Sequence, residues 1–289
     1  MAKQEPTAFE TTFFEFDRPP IADHPMTCFA LYGKGGIGKS TTAANVALAL
    51  AESGKTVMLV GCDPKADSTA LLRGGEPIVT VLSLLRTKHK SELCLEDMVR
   101  RGKGGVLCVE AGGPRPGVGC AGRGIIAAFE ALKTCRAFEV YKPDVVIFDV
   151  LGDVVCGGFA MPIRDGWAKN IFIVTSGENM AVHAAANIAV AVETFAERGY
   201  AHLGGLILNC RDVPNETAKV QELADDLKTK IIGTLPRSET VQKADEQGLT
   251  VLEAEPQSDM AERYRRLAAA ILAACAVEKP RGQHASFTF

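Results

Sequence analysis

The sequence predicts an α/β fold, a single domain with a mostly parallel sheet flanked by helices on both faces. Three observations predict it. From Thr27 onward, short runs of apolar, often β-branched residues alternate with longer amphipathic stretches. The runs are apolar throughout rather than alternating, which is the pattern of strands covered on both faces. The first run passes through a glycine-rich turn directly into a helical pattern, the βα arrangement that cradles phosphate.

In chain order, residues 1–26 are expected to form an amino-terminal arm. Phe9, Phe13, Phe14 and Phe16 are mixed there with acids and the pair Pro19-Pro20, without a helical or strand period. The domain is expected over 27–277, followed by a loose carboxyl-terminal tail over 278–289. Strands are predicted at Thr27–Tyr32, Thr56–Gly61, Val106–Glu110, Val145–Asp149, Ile171–Thr175, Leu203–Asn209 and Ile231–Leu235. Helices are predicted over 39–53, 122–136, 179–198, 215–228, 239–247 and 257–276. Ligands of such sheets bind at the carboxyl ends of the strands.

The turn after the first strand reads Tyr32-Gly33-Lys34-Gly35-Gly36-Ile37-Gly38-Lys39-Ser40-Thr41-Thr42. Gly33, Gly38, Lys39 and Ser40 meet the pattern G-x-x-x-x-G-K-[ST], so the predicted fold is that of a P-loop NTPase. Gly35, Gly36 and Gly38 let the backbone of Gly35–Thr41, Ile37 included, turn its N–H groups toward phosphates at a helix start. Lys39 is expected at the β- and γ-phosphates and Ser40 on Mg2+. Lys34 is one lysine more than this loop requires.

Other strand ends carry further chemistry. The second runs into Gly61-Cys62-Asp63-Pro64-Lys65-Ala66-Asp67-Ser68-Thr69, placing two acids and a lysine at the sheet edge. By itself this is equally a turn at Asp63-Pro64 and a helix cap at Asp67. Val145-Val146-Ile147-Phe148-Asp149 is an apolar strand ending in an aspartate, the form of a carboxylate that supports magnesium opposite a phosphate loop. Asp149 is therefore a metal candidate through water. Asp153, four residues on, is positioned to orient or deprotonate a water attacking the γ-phosphate, or is a plain loop carboxylate.

Of nine cysteines, two are wrapped in glycine: Cys120 in Gly117-Val118-Gly119-Cys120-Ala121-Gly122-Arg123-Gly124, and Cys156 before Gly157-Gly158. Exposed backbone N–H groups around thiolates suit an iron–sulfur cluster, whereas structural thiols sit among apolar side chains. The pattern alone leaves both readings open, because a cluster needs four ligands. A twofold homodimer would complete them by bridging one [4Fe-4S] cluster. The same dimer would let Lys34 reach phosphates held by the facing subunit.

These motifs, with Gly112-Gly113-Pro114 and Phe159-Ala160-Met161-Pro162, resemble the nitrogenase iron protein family, ATP-dependent reductases that pass electrons to a separate catalytic component. The resemblance runs from about Thr27 to Ala276. It implies that Lys34 acts across the dimer, that Asp63 and Asp67 form a first switch near nucleotide and magnesium with Lys65 beside them, and that Asp153 is the hydrolytic carboxylate. It further implies Cys120 and Cys156 as cluster ligands, and Arg123 on the docking face as a site of regulatory ADP-ribosylation. Asn209, Pro236, Arg237 and Gln242 fall where relatives contact the base. Asn209-Cys210-Arg211-Asp212 lacks the lysine of the guanine-reading N-K-x-D pattern, so ATP is expected. Expected partners are a larger catalytic nitrogenase-like component and ferredoxin or flavodoxin as electron donor. The phenylalanine-bearing arm and the region beginning Leu71-Leu72-Arg73-Gly74-Gly75 differ from dinitrogen-reducing members. Relatives with this donor chemistry serve dinitrogen, protochlorophyllide, chlorophyllide and methylthio-alkane reductases and a nickel-tetrapyrrole cyclase.

Composition bounds the alternatives. A formal charge of −3 gives no overall drive toward nucleic acid. No apolar run reaches the roughly 18 residues of a membrane span, and the first residues lack a signal-peptide core, so a cytoplasmic location without membrane attachment is expected. The odd cysteine count, with no C-x-x-C pair, argues against a secreted disulfide framework and against a cluster-assembly scaffold. A partitioning or positioning ATPase would share the extra lysine and the dimer but lack Cys120 and Cys156.

Overall fold

The computed structural model describes residues 25–89, 92–113, 121–152, 167–196 and 201–277, with the side chains of 121–124 and 195 outside that description. The described elements are β1 (Thr27–Tyr32), α1 (Lys39–Glu52), β2 (Val57–Gly61), α2 (Val81–Thr87), α3 (Leu95–Met98), β3 (Arg100–Arg101), β4 (Leu107–Glu110), α4 (Ala121–Thr134), α5 (Ala137–Tyr141), β5 (Val145–Asp149), β6 (Asn170–Thr175), α6 (Asn179–Ala196), β7 (His202–Asn209), α7 (Glu216–Asp226), β8 (Ile231–Leu235), α8 (Glu239–Glu246), α9 (Val251–Ala254) and α10 (Asp259–Cys275). The strands form one eight-stranded sheet in the order β3-β4-β2-β5-β1-β6-β7-β8. All neighbours pair parallel except β3 with β4. The α/β P-loop architecture expected from the sequence is the one observed. The seven expected strands are present within a residue at each end; the antiparallel edge strand β3 and the short helices α2, α3, α5 and α9 were not foreseen.

The continuous apolar runs divide between the two faces at every second residue. Phe29 and Leu31 of β1, Leu59 of β2, Ile147 of β5 and Phe172 of β6 belong to the core beneath α1 and α10. Ala30, Tyr32, Val60, Phe148 and Ile173 belong to the core on the opposite face, with Phe129 and Leu132 of α4 and Ile188 and Val192 of α6. Helix α1 is alanine-rich and buried from Thr42 to Leu50, because it lies between the sheet and α10. Helix α10 starts where Ser258 accepts a hydrogen bond from the Ala261 N–H, and it buries Met260, Tyr264, Leu267 and Ile271 at helical spacing. Its outer face carries the pairs Arg263–Asp259 and Arg266–Glu262. No described helix is long and apolar enough to cross a membrane.

Asn45 ties α1 to the carboxyl-terminal half. It is fully buried; its Nδ2 donates to the Thr41 carbonyl at 2.8 Å and its Oδ1 accepts from the Val251 N–H at 2.8 Å. Asn45→Ala leaves a buried N–H at the start of α9 without a partner and should lower unfolding free energy by about 1–3 kcal/mol, read from urea denaturation.

Candidate nucleotide site

Parallel pairing brings the carboxyl ends of β1, β2, β4, β5, β6, β7 and β8 to one edge, where the chain turns into the loops singled out above. The loop after β1 opens into α1 through Gly38, whose φ of 94° is left-handed and which carries no side-chain cap. A side chain at Gly38 would also meet the Asn209 amide at 2.5 Å. The first N–H groups of α1 are thus left for a ligand. Ile37 is buried and anchors the loop, whereas Gly35 and Gly36 are exposed at its crest.

Lys39 is 8 % exposed, and its Nζ lies 3.9 Å from Asp149 Oδ1, an ion-pair distance longer than a hydrogen bond. Asp149 is 1 % exposed. Its Oδ1 and the buried Ser68 Oγ have no hydrogen bond within ordinary reach. Burial pushes the Asp149 carboxyl up; Lys39 opposes the shift, as do the Ser40 and Ser68 hydroxyls, which lie near the carboxylate. A buried ammonium and a buried carboxylate oxygen that stop short of each other fit a phosphate and a hydrated divalent cation between them. Ser40 and Thr41 are half-buried at the first turn. Gly152 lies on the Gly33 carbonyl and the Lys34 backbone with no room for a side chain, which brings the start of the β5 loop onto the phosphate loop.

Asp63 is half-buried after β2, while Lys65 and Asp67 are exposed. Asp63 reinforces the upward shift at Asp149, which sets the two carboxylates at the same strand-end cluster. Within the loop, Asp63 Oδ1 accepts from the Lys65 N–H at 2.9 Å. Lys34 is half-buried; its carbonyl accepts from the Ile37 N–H at 3.2 Å, and its ammonium has no ion-pair or hydrogen-bond partner among the described residues.

On the far side, Asn209 ends β7 opposite Leu235 of β8, so Pro236, Arg237 and Gln242 follow the adjacent strand end. The Asn209 Nδ2 donates to the Ile37 carbonyl at 2.7 Å. Half of this amide thus holds the phosphate loop, and Oδ1 is the atom left for a base. Arg211 adds a second tether, donating from Nη2 to the Gly36 carbonyl at 2.7 Å. Arg211 entered the sequence reading only as the residue in place of a lysine pattern. Its holding role had no sequence signal, because the contact spans most of the chain.

Glu110 is the other residue missed. It ends β4 as Asp149 ends β5, an apolar run closing in an acid, and that parallel was the available signal. It is fully buried, and its Oε1 accepts from the Thr69 N–H at 2.7 Å and from Thr69 Oγ1 at 2.6 Å. Burial raises its carboxyl to about 7; the two Thr69 bonds and Arg73 pull it down, and Asp149 pushes it up. Cys120, Asp153 and Cys156 lie outside the described residues. Arg123 falls in the first turn of α4.

Residues 27–285 match the family described as 4Fe-4S iron sulfur cluster binding proteins, NifH/frxC family. The chain is 48 % identical over 254 residues to nitrogenase iron protein 2 of Methanothermococcus thermolithotrophicus, covering 84 % of this chain and 87 % of that one. It is 51 % identical over 249 residues to the nitrogenase iron protein of Methanospirillum hungatei, covering 86 % and 88 %. Among solved structures, the cell division ATPase MinD of Pyrococcus furiosus superposes with a TM-score of 0.64 at 18 % identity, over 86 % of this chain and 98 % of that one. Cobyrinic acid a,c-diamide synthase of Mycobacterium smegmatis, with bound ATP analog and magnesium, superposes with a TM-score of 0.60 at 20 % identity, over 86 % and 94 %. At those identities the structural likeness speaks for the fold alone.

The raised Glu110 carboxyl has a pH consequence. Its folded value of about 7 exceeds the ordinary 4.5, so the folded chain keeps a proton there that the unfolded chain releases. The stabilisation is complete below the ordinary value and is lost as pH rises through the folded one. Asp149, Arg73 and the Cys62 and Cys108 thiols also face this carboxyl. They are common to wild type and Glu110→Gln, so urea midpoints of the two compared from pH 5 to pH 8 should show wild type losing stability relative to the variant.

Proposed function

This chain belongs to the NifH/frxC family of 4Fe-4S iron sulfur cluster binding proteins, and from that premise we propose that it is an ATP-dependent reductase component. In this reading a homodimer passes single electrons to a separate, larger nitrogenase-like catalytic component, timed by MgATP hydrolysis. The observation that carries the proposal is the buried Lys39–Asp149 pair at the phosphate loop, because Asp149 opens an eight-residue segment of sequence that ends at Cys156. A nucleotide read at one end and a thiolate at the other make a short mechanical path between hydrolysis and redox chemistry.

Each residue has a role in this scheme. Gly35–Thr41 would wrap the phosphates, Lys39 would neutralise the β- and γ-phosphates, and Ser40, with Asp149 through water, would hold Mg2+. Asp63, Lys65 and Asp67 line the nucleotide from β2, and Lys34 crosses to the phosphates bound by the partner subunit. Asp153 orients the attacking water and takes its proton. Asn209 Oδ1, Pro236, Arg237 and Gln242 accommodate the base. Cys120 and Cys156 of each subunit would supply the four thiolates that hold one [4Fe-4S] cluster, which would serve as a one-electron store. Arg123 lies on the docking face beside Cys120 in sequence, where ADP-ribosylation would block the partner.

The donor that reduces the protein is a ferredoxin or flavodoxin, and the work is cytoplasmic. The likeness to nitrogenase iron proteins at about half identity favours a nitrogenase partner over a methylthio-alkane or tetrapyrrole reductase. A cluster-free partitioning ATPase is the second reading, since it would share the extra lysine of the phosphate loop and the dimer. The glycine-flanked Cys120 and Cys156 weigh against it.

Iron content decides between these readings. Anaerobically prepared wild type should carry the iron of one [4Fe-4S] cluster per dimer, and Cys120→Ser or Cys156→Ser should lose it; full iron retention in either variant overturns the assignment. MgATP should accelerate removal of that iron by a chelator, measured from the visible absorbance. Asp153→Asn should bind nucleotide nearly as wild type does while partner-stimulated ATP hydrolysis falls by about a hundredfold.

A further inference from the structure

The loop Asp63–Thr69 is held at both ends by the segment that leaves β4. At its far end Thr69 gives Glu110 two hydrogen bonds, one from the backbone and one from the hydroxyl. The same hydroxyl accepts from Arg73 Nε at 3.2 Å, so a relay runs from Arg73 through Thr69 to Glu110. At its near end Pro64 fills the space that a side chain on Gly113 would need. Between them, Glu110 Oε2 and Ser68 Cβ fill the space over Gly61. The holding segment is itself fixed. The Ala111 N–H donates to the Gly61 carbonyl at 2.8 Å, the Leu82 N–H to the Ala111 carbonyl at 3.1 Å, and Arg86 Nη2 to the Gly113 carbonyl at 2.9 Å.

We propose that Glu110 and Gly113 form a clasp on the Asp63–Thr69 loop, with Glu110 a positioning residue of the nucleotide site that works through Thr69. Breaking both Thr69 bonds would strand a buried carboxyl whose Oε2 already lacks a partner. Thr69 is therefore the pivot. Displacement of Asp63, Lys65 and Asp67 occurs about it, and Pro64 presses that displacement onto Gly113. The segment 111–113, tied to β2 and α2, receives the movement directly rather than through the phosphate loop.

The clasp rests on the nucleotide reading above, and the experiment separates the two. MgADP affinity is measured by calorimetry on the anaerobic holoprotein, together with backbone hydrogen exchange over 64–70 and 111–113. Absence of MgADP binding by wild type would remove the nucleotide reading itself. With wild-type binding established, Thr69→Val should bind MgADP about tenfold more weakly and exchange faster over 64–70, while Thr69→Ser, which keeps the hydroxyl, should restore both. Glu110→Ala, which removes the acceptor of both Thr69 bonds, should weaken MgADP binding and speed exchange over 64–70 as Thr69→Val does. Gly113→Ala should alter exchange at 64–70 without touching Thr69. If Thr69→Val and Gly113→Ala leave affinity and exchange as in wild type, the clasp is overturned and the nucleotide reading stands.

Discussion

The parallel pairing of β1 with β5 is the constraint on which the site depends. It sets Leu31 opposite Asp149, so the chain leaves β1 for the phosphate loop just where β5 delivers its carboxylate. On the other side Tyr32 of β1 pairs with Ile173 of β6, so the loop leaves the sheet between two strands that hold its register. A slip of one residue would turn Asp149 toward the opposite face and separate it from Lys39. Register is protected because both faces of these strands are core, and a slip would misplace every apolar residue on them.

That register creates an electrostatic tension. A buried carboxylate and a buried ammonium would gain most by closing to hydrogen-bond distance, yet they stop at 3.9 Å with an oxygen unsatisfied. Desolvation of both charges is costly, and their mutual attraction at this separation offsets only part of it. The arrangement is sustained by the sheet and by Gly152 lying on the phosphate loop, and a bound phosphate and cation would supply the missing contacts.

The framework was legible because its signals are local. Apolar runs, helical periods and the glycine-lysine loop all lie within a few residues of what they predict, so β1, α1 and β5 were bounded almost to the residue. Edge strand β3 is two exposed arginines, with no apolar pattern to reveal it. The tethers of the site were hidden for a different reason. Asn209 reaches Ile37 across 172 positions and Glu110 reaches Thr69 across 41, contacts that exist only once β7 and β4 have taken their places in the sheet. The residue types were visible, and the pairings belong to topology. The same distinction separates fold from function: MinD shares this fold at 18 % identity, whereas the nitrogenase iron proteins are about half identical to the chain over more than four fifths of its length.

Charge at the strand ends bears on why one subunit would not suffice. With Lys34 on the loop crest set aside, Lys39 and Lys65 face Asp63, Asp67 and Asp149, so the edge is one formal charge negative before a ligand arrives. A magnesium nucleotide is a net anion and would leave the edge negative, at a place where Asp149 and Glu110 are already difficult to keep ionised. A further cation must come from elsewhere. Lys34 is half-buried on the loop crest and uncommitted among the described residues, so two copies placed face to face could each lend it to the other. Nucleotide binding and dimer closure would then favour one another, since each supplies the charge that the other lacks.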